Sequence, residues 1–248
     1  MSKVAIVTGA TTGIGRATAL ALSDAGWWVL ASGRDRERGE SLAAELERRA
    51  GGDFLAGDLT ADGMPERLVE RALGAGMLSI VVNNAGIHFL AAVPDTSPEA
   101  YDELMATNLR AAVLLSRAAI PIMRESGGGV IVNVSSEAGV VAVPGQAAYN
   151  ISKAGLLMLT KSIAVDHAQD GVRAVSICPG TTRTALVEAA IASAPDPAAH
   201  ERWLATARPA GRLGTPEEIA AAVLFVVAEE AAYMTGSELV IDGGYTAG

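Results

Sequence analysis

An apolar run followed at once by a glycine-rich turn opens the chain, and this pair restricts the possible folds more than any other feature. Residues 3–8 (KVAIVT) form a continuous run of the kind found in parallel strands that are covered on both faces. The turn TGATTGIG, residues 8–15, leads into a helical pattern that continues to residue 25. A buried strand joined to a helix in this way predicts an α/β fold with a parallel sheet.

The glycines of this turn have spacing that suits an anion. Gly9, Gly13 and Gly15 would let the backbone turn sharply and approach a pyrophosphate, while the helix N-terminus offers free N–H groups to it. The spacing is G-x-x-x-G-x-G, not the common fingerprint G-x-G-x-x-G. Because the turn is the first strand-to-helix connection, we favour dinucleotide binding over a simple tight connection.

Strand and helix patterns alternate along the rest of the chain. Further strands are predicted at 27–32, 54–58, 80–82, 130–134, 172–177 and 239–242. Helices are predicted at 35–49, 98–123 and 147–166 and from residue 215, with a mobile-looking segment at 184–211. No internal repeat or linker divides the 248 residues, so we expect a single domain, 1–248, with a substrate loop at about 184–212.

The tip of the second predicted strand carries an arginine in place of a carboxylate. In folds of this kind an acidic residue here binds a ribose 2′-hydroxyl, whereas an arginine accepts a 2′-phosphate. Gly33 and Arg34 therefore favour NADP over NAD, with NAD possible, and Ser32 could assist the phosphate. Alternatively, Arg34 opens the charged helix 35–49 as a solvated residue.

Polar residues also follow the third and fourth predicted strands. Asp58 could accept a hydrogen bond from an adenine amino group or cap the next helix. The sequence Asn83-Asn84-Ala85-Gly86 would allow close approach of a ligand and hold neighbouring strands by hydrogen bonds. Asn108 lies within the predicted helix 98–123, where asparagine is unfavourable unless its side-chain amide has a specific structural or functional role.

A serine, a tyrosine and a lysine follow the fifth predicted strand. Ser136 ends the strand, while Tyr149 and Lys153 lie four residues apart, and thus on one face of the helix 147–166. An adjacent ammonium lowers the pKa of a phenol, so Tyr149 could act as general acid or base. Ser136 would hydrogen-bond the oxygen of a carbonyl that becomes an alcohol. On its own, a Tyr and Lys pair on a helix usually forms only a solvated face.

Composition excludes several classes of protein. The 19 Lys and Arg residues against 28 Asp and Glu give a formal charge of −9, which argues against nucleic-acid binding. The single cysteine, Cys178, fits a reducing compartment and suggests a cytoplasmic protein. No signal-peptide pattern precedes the first strand, and the longest apolar run, 219–228, is too short to span a membrane. No metal site is predicted.

Together these motifs resemble the short-chain dehydrogenase/reductase family. The resemblance rests on TGATTGIG, Asn83-Asn84-Ala85-Gly86, Asn108, Ser136 with Tyr149 and Lys153, Pro179-Gly180 and Asp242-Gly243-Gly244, and it runs from about residue 3 to 245. It implies a three-layer, Rossmann-like, doubly wound α/β fold with seven parallel strands. It also implies hydride transfer between a nicotinamide and a carbonyl/alcohol pair in a homo-oligomer, tetramer or dimer, whose interface the two long helices form.

The resemblance assigns roles to individual residues. The implied catalytic residues are Asn108, Ser136, Tyr149 and Lys153. Lys153 would also bind the nicotinamide ribose and lower the pKa of Tyr149, and Asn108 would hold a water that links Lys153 to solvent. The implied cofactor-binding residues are Gly9, Thr11, Thr12, Gly13, Ile14, Gly15, Ser32, Arg34, Asp58, Leu59, Asn84, Ala85, Gly86, Tyr149, Lys153, Pro179, Gly180, Thr182 and Thr184.

The run CPGTTRT at 178–184, followed by a Pro/Ala-rich segment and RPAGRLGTPEEIA at 208–220, resembles members of this family that act on sugars, sugar acids and short hydroxy acids. The resemblance implies a small polar substrate of this kind. The residues expected to shape its pocket are Ser136, Glu137, Gln146, Tyr149, Thr181, Arg183 and Trp203, with His88, Phe89 and Arg208 as further candidates. Arg183, Arg202 or Arg208 would be available to a carboxylate. The alternative interpretations are a solvated Glu137, a His88 that caps a loop and a Trp203 that is only an apolar cover.

Two other functions remain open. A 3-oxoacyl-thioester reductase of fatty-acid synthesis would need basic surface for an acidic carrier protein, and the net charge of −9 gives that little support. A nicotinamide-binding sensor could keep the fold without turnover, because fold does not imply function. The presence of all four implied catalytic residues favours an enzyme.

Overall fold

A sheet of seven parallel strands lies at the centre of the computed structural model, which describes residues 2–248. Its strand order is β3-β2-β1-β4-β5-β6-β7. The strands are β1 Lys3–Thr8, β2 Trp28–Gly33, β3 Gly52–Ala56, β4 Met77–Asn83, β5 Gly129–Val134, β6 Val172–Pro179 and β7 Ser237–Ile241. The chain winds outward from β1 to β3 and then returns to place β4 on the other side of β1. A crevice therefore opens at the carboxyl ends of β1 and β4, where such folds bind ligands.

Helices cover both faces of the sheet. They are α1 Gly13–Asp24, α2 Arg36–Glu47, α3 Met64–Leu73, α4 Pro98–Met105, α5 Ala111–Glu125, α6 Glu137–Val140, α7 Ala147–His167, α8 Ala185–Ser193, α9 Pro197–Thr206 and α10 Pro216–Val227. One core layer includes Leu68 of α3 and Leu115 of α5, and the opposite layer includes Leu22 of α1 and Val223 of α10. The predicted three-layer, doubly wound fold is therefore confirmed. No helix within residues 2–248 has the length and apolar character needed to cross a bilayer.

The long helix predicted at 98–123 is interrupted by one wider turn. Residues Ala106–Arg110 form a π-helical turn between α4 and α5. Such a turn inserts an extra residue into the hydrogen-bond ladder and is frequent at functional sites. It places Asn108 at the centre of the interruption, which explains how an asparagine is accommodated here.

The segment 184–211, predicted to be mobile, instead contains two helices. Thr184 caps α8 by accepting a hydrogen bond from the N–H of Val187, and Asp196 caps α9 through the N–H of Ala199. Pro197 occupies the first turn of α9, a position that proline favours. The many alanines are strong helix formers, so the Pro/Ala-rich composition was wrongly interpreted as a loop.

Candidate active site

Most of the predicted cofactor residues meet at one edge of the sheet, because parallel strands share their carboxyl ends. They lie at the end of β1, β2, β3, β4 or β6 or in the loops that follow: Gly9, Thr11, Thr12, Gly13, Ile14, Gly15, Ser32, Arg34, Asp58, Leu59, Asn84, Ala85, Gly86, Pro179, Gly180, Thr182 and Thr184. Thr184 reaches the turn after β1, since a Cβ on Gly13 would lie 3.0 Å from its Cγ2.

The glycine turn after β1 has little space for side chains. Gly9 and Gly13 adopt φ values of +62° and +54°, the left-handed region that glycine occupies without strain. A Cβ on Gly15 would lie 2.3 Å from the carbonyl oxygen of Gly9 and 2.4 Å from Nδ2 of Asn84. Thr12, the N-cap of α1, makes no side-chain cap, and no acidic residue lies in the first turn. The first N–H groups of α1 are thus left for an anion, which fits a dinucleotide pyrophosphate.

Asn84 ties β4 to β1 beside this turn. Its Nδ2 donates to the carbonyl oxygens of Thr8, at 2.9 Å, and Gly9, at 3.2 Å. The Thr8 hydroxyl in turn accepts hydrogen bonds from the N–H groups of Asn84 and Ala85. The expected hydrogen bonding between neighbouring strands is present, and it fixes the walls of the crevice.

The tip of β2 exposes Arg34 but not Ser32. Arg34 is exposed and forms no ion pair with any other residue of the range 2–248. A Cβ on the preceding Gly33 would lie 2.8 Å from Cγ2 of Thr11, so this tip packs against the glycine turn. Ser32 is fully buried, and its hydroxyl has no hydrogen-bond partner. The expectation that Ser32 assists a phosphate stays a prediction, which the burial of its hydroxyl does not favour.

Asp58 stabilises a turn and does not cap α3. It accepts hydrogen bonds from the backbone N–H and the hydroxyl of Thr60, both at 2.8 Å. These bonds lower the pKa of Asp58, and the nearby charge of Arg34 acts in the same direction. The N-cap of α3 is Gly63, so the helix-cap alternative is wrong. The exposed carboxylate stays available at the edge of the crevice, while Leu59 beside it is buried.

Asn108 joins the π-helical turn to the loop after β4. Its Oδ1 accepts from the N–H of Ile87 at 2.7 Å, and its Nδ2 donates to the carbonyl oxygen of Ile87 at 2.9 Å and to Ser152 Oγ at 3.2 Å. A Cβ on Gly86 would lie 3.3 Å from Asn108 Oδ1 and 3.7 Å from Lys153 Nζ. The absence of a side chain at Gly86 therefore brings the asparagine amide close to the lysine.

Ser136, Tyr149 and Lys153 converge where β5 ends. Ser136 is the N-cap of α6, where its Oγ accepts a hydrogen bond from the N–H of Ala138 at 3.1 Å. The Ser136 hydroxyl also acts on the Tyr149 phenol by lowering its pKa. Lys153, one turn along α7, is buried and donates from Nζ to the carbonyl oxygen of Val134 at 2.9 Å. The Lys153 ammonium lies 5.5 Å from the centroid of the Tyr149 ring. The structure thus brings together the three side chains that the sequence motif suggested.

Burial shifts the pKa values of this pair in opposite directions. Burial around its hydroxyl raises the pKa of Tyr149 to about 12, and the Ser136 hydroxyl only partly opposes that rise. Burial also lowers the pKa of Lys153 to about 8. The expected depression of the tyrosine pKa by Lys153 is therefore wrong for this structure, because the ammonium is directed at Val134 and desolvation of the phenolate dominates.

A buried polar chain that the sequence analysis missed supports α7. Asn83 of β4 donates to the Oδ1 of Asn133, its partner in the register of β5, at 2.8 Å. Asn133 donates to Thr160 Oγ1 at 2.7 Å, and Thr160 shares a hydrogen bond with Ser176 of β6. Ser135 donates to the carbonyl oxygen of Lys153 at 2.8 Å. The sequence signal that could have indicated this hydrogen-bonded network is the presence of polar residues inside otherwise apolar strands.

The predicted substrate residues divide into three groups: one beside Tyr149, one exposed and one buried around Arg208. Gln146 lies near Tyr149, since His88 forms a hydrogen bond with Gln146 at 2.5 Å and meets the Tyr149 ring edge-on at 4.7 Å. Arg183 is exposed and pairs with Glu188 and Glu201. Trp203 is 63% exposed and stacks on His200.

Glu137 and Thr181 belong to a buried cluster around Arg208. Glu137 is buried, which excludes the solvated alternative, and pairs with Arg208 at 2.6 Å. Thr181 accepts a hydrogen bond from the same guanidinium.

Within residues 2–248, no group of three or more His, Cys, Asp or Glu side chains is arranged so that it could hold a metal ion.

Comparisons with known proteins agree on one family. A family model described as enoyl-(acyl carrier protein) reductase matches residues 9–246. An uncharacterized oxidoreductase of Thermotoga maritima is 42% identical over 248 residues, which cover 99% of this chain and 98% of that protein. A cyclopentanol dehydrogenase of Comamonas sp. is 40% identical over 247 residues, or 99% and 97% of the two chains.

A solved structure shares the whole fold. The crystal structure of an Agrobacterium tumefaciens protein, assigned provisionally as a gluconate dehydrogenase, matches with a TM-score of 0.92 and 30% identity and covers 99% of this chain and 96% of that one. Together with a family model that extends over nearly the whole sequence, these similarities establish that the chain belongs to the short-chain dehydrogenase/reductase family and is an oxidoreductase that acts on CH–OH groups.

Proposed function

We propose that this enzyme transfers a hydride between a nicotinamide dinucleotide, preferably NADP, and a small, neutral, hydroxylated secondary alcohol or its ketone. The observation that carries the proposal is the convergence of Ser136, Tyr149 and Lys153 beside the glycine turn after β1. An oxygen held by Ser136 and Tyr149 would stand next to the crevice that suits the dinucleotide. Such a site joins a proton donor with a hydride carrier, which carbonyl reduction requires.

The side chains would share the proton chemistry. The Tyr149 phenol, protonated at neutral pH because its pKa is about 12, would donate its proton to the carbonyl oxygen during reduction. Ser136 would donate a hydrogen bond to the same oxygen and stabilise the charge that develops on it. In the direction of oxidation Tyr149 would accept the proton, and Lys153, with Asn108 beside it near Gly86, would return the proton towards solvent.

The cofactor would be held by the crevice. The bound nicotinamide would supply or accept the hydride. The glycine turn and the free N–H groups of α1 would bind the pyrophosphate. The exposed Asp58 would accept a hydrogen bond from the adenine amino group, and Lys153 would bind the nicotinamide ribose. Thr182 and Thr184 follow β6 and would line the carboxamide side.

Arg34 supports the preference for NADP. Replacing Arg34 by alanine is expected to weaken NADPH binding about 10- to 100-fold, since a charge-assisted hydrogen bond contributes about 1.5–3 kcal/mol. NADH binding should change little, because the 2′-phosphate is the group that Arg34 would contact. Fluorescence titration of each reduced cofactor against the wild type and Arg34→Ala measures both effects.

A nearby arginine provides the control for this prediction. Arg36 is exposed, pairs with Glu40 at 3.6 Å and lies in α2 instead of the crevice. Arg36→Ala should leave the affinity for both cofactors unchanged. Equal affinity of the wild type for NADPH and NADH would reject the NADP preference.

The arginines of the site support a neutral substrate. Arg208 is buried against Glu137, and Arg183 is bound to Glu188 and Glu201, so both are already paired with carboxylates. Arg202 is exposed on α9. His88, which contacts the Tyr149 ring, and its hydrogen-bond partner Gln146 are neutral polar groups that suit substrate hydroxyl groups. The two substrates named for the similar proteins, cyclopentanol and gluconate, represent the neutral and the acidic case.

A panel of substrates tests the proposed function. Nicotinamide absorbance would be followed with NADP and NAD against cyclic alcohols, neutral sugars, gluconate-like hydroxy acids and a 3-oxoacyl thioester. Turnover of a neutral hydroxylated alcohol is the expected result. Preference for the thioester would instead favour the reductase of fatty-acid synthesis, an alternative related to the description of the matching family model. Tight cofactor binding with no turnover in any class would favour a sensor.

We also propose that the single domain 1–248 works as a homo-oligomer. Ile151, Met158 and Val165 recur every seven residues on α7 and are 50%, 61% and 83% exposed. This spacing places them on one face of the helix, where a second copy could cover them. Met158→Glu is expected to lower the molar mass in light scattering. Leu73→Glu, at a 43% exposed apolar residue that ends α3, adds the same charge away from this face and should leave the molar mass unchanged. A monomeric molar mass for the wild type would reject the proposal.

A further inference from the structure

The Glu137–Arg208 ion pair is the most deeply buried one within residues 2–248. Its side chains are only 9% and 5% exposed, and Arg208 Nη2 lies 2.6 Å from Glu137 Oε1. Burying such a pair is unfavourable unless it has good geometry and further hydrogen bonds. Two of its atoms, Glu137 Oε2 and Arg208 Nε, nevertheless lack partners. Stability alone therefore does not account for this pair.

Arg208 connects several segments around the site. Its guanidinium also donates to Thr181, in the loop after β6, and to the carbonyl oxygen of Leu204 in α9 at 2.7 Å. The guanidinium carbon lies 5.1 Å from the centre of the Tyr245 ring near the C-terminus. Arg208 follows α9 directly, so these contacts attach the helical segment α8–α9 to the turn that carries Ser136 and Glu137.

Glu137 begins α6, which packs against the part of α7 that carries Tyr149 and Lys153, since a Cβ on Gly139 would lie 2.8 Å from the carbonyl carbon of Lys153. Glu137 follows Ser136 directly, and its negative charge contributes to the raised pKa of Tyr149. The other groups near Tyr149 are Ser136, the ammonium of Lys153 and the ring of His88. Arg208 offsets the charge of Glu137, whereas Asp242, after β7, adds to it.

The pair also borders the predicted nicotinamide side of the crevice. A Cβ on Gly180 would lie 2.8 Å from Glu137 Oε2, so the glycine makes room for the carboxylate. Burial raises the pKa of Glu137 to about 7 despite the charge of Arg208. The charge beside the tyrosine therefore depends on both members of the pair.

We propose that Glu137 and Arg208 are positioning residues that together balance the charge beside the Tyr149 hydroxyl and fix α8–α9 next to it. This inference rests on the proposed function, in which Tyr149 moves the proton. Glu137 acts on the phenol through space, and Arg208 acts through Glu137. Neither side chain needs to contact the substrate.

Three variants separate this role from a structural one. Glu137→Gln leaves the positive charge of Arg208 uncompensated and should let Tyr149 ionise at a pH lower by roughly 1 unit. Arg208→Met leaves the carboxylate uncompensated and should move the ionisation of Tyr149 to higher pH. The double variant Glu137→Gln/Arg208→Met removes both charges and should return close to the wild type. Arg212→Gln, which breaks the exposed pair with Glu218, should shift nothing.

Two readouts are needed. The first is the phenolate absorbance of Tyr149 as the pH rises, obtained by subtracting the same variant that also carries Tyr149→Phe. The second is the pH dependence of kcat/KM for alcohol oxidation, whose rising limb should shift in the same direction. If Arg208→Met does not fold, the shift in Glu137→Gln and its reversal in the double variant still test the charge balance.

Each result has a distinct meaning. Opposite shifts in the two single variants support the inference, while unchanged profiles or shifts in the same direction overturn it. The absorbance readout does not require turnover, so it tests the pair even if no substrate is converted. Absence of turnover by the wild type with every substrate class would instead reject the proposed function and leave the absorbance result on the pair intact.

Discussion

Replacing Tyr149 by phenylalanine is expected to lower kcat about 100- to 10,000-fold, the usual contribution of a positioned general acid or base. The substitution removes only the hydroxyl group. The ring would keep its edge-on contact with His88 at 4.7 Å and its place 5.5 Å from the Lys153 ammonium. Binding of the reduced cofactor should therefore remain close to that of the wild type. Nicotinamide absorbance under saturating substrate gives kcat, and fluorescence titration gives the cofactor affinity.

A second tyrosine provides the matched control. Tyr101 lies on α4, is 36% exposed and is not among the residues assigned to the site. Tyr101→Phe removes a hydroxyl of the same kind and should leave kcat unchanged. Turnover of Tyr149→Phe comparable with that of Tyr101→Phe would show that the proton comes from another group.

The sheet was predictable because each strand carries its own local signal. Continuous apolar runs such as 3–8 and 130–134 require cover on both faces, and the helices between them supply it. The regular alternation then limits the topology to a parallel, doubly wound sheet. The strand ends were less accurate: 80–82 became Met77–Asn83, because neighbouring strands extend pairing beyond the most apolar residues.

The site was predictable where residues share one helix or one strand end, and not where they meet across the fold. Tyr149 and Lys153 are four residues apart, so helix geometry alone placed them together. Glu137 and Arg208 are separated by 71 residues, and no local pattern relates them. The burial of Ser32 was likewise not predictable, because its exposure depends on which face of β2 is covered at the strand tip.

Burial also determines the pKa values in the site, and the extent of burial cannot be read directly from the sequence. The Lys153 ammonium was expected to lower the pKa of Tyr149, since opposite charges favour the ionised form. In the folded protein desolvation raises the pKa of Tyr149 to about 12, and Lys153 is not among the groups that shift it. A phenol held protonated in this way is suited to donating a proton to a carbonyl, and oxidation of the alcohol is expected to become faster as the pH rises.

Substituting alanine for Gly15 is expected to weaken cofactor binding at least about 10-fold and to destabilise the fold by about 1–3 kcal/mol, the usual effect of overpacking. The added methyl group would lie 2.3 Å from the carbonyl oxygen of Gly9 and 2.4 Å from Nδ2 of Asn84. Neither atom can move freely. Asn84 Nδ2 is bonded to the backbone of both Thr8 and Gly9, so the clash would open the turn that faces the pyrophosphate. Cofactor titration and thermal unfolding measure the two effects.

Gly74→Ala is the matched control for the steric effect of the methyl group added at Gly15. Gly74 ends α3 with a φ of −63°, which any residue adopts, and a Cβ there would lie 3.4 Å from its nearest neighbour, an ordinary contact. Gly74→Ala should therefore change neither cofactor affinity nor the unfolding temperature appreciably. If Gly15→Ala unfolds at a lower temperature but binds the cofactor normally, the close packing of this turn contributes to the stability of the fold and not to cofactor binding. Loss of affinity in Gly15→Ala and not in Gly74→Ala would instead tie the missing side chain to the approach of the dinucleotide, because the two variants add the same methyl group and differ only in what it meets.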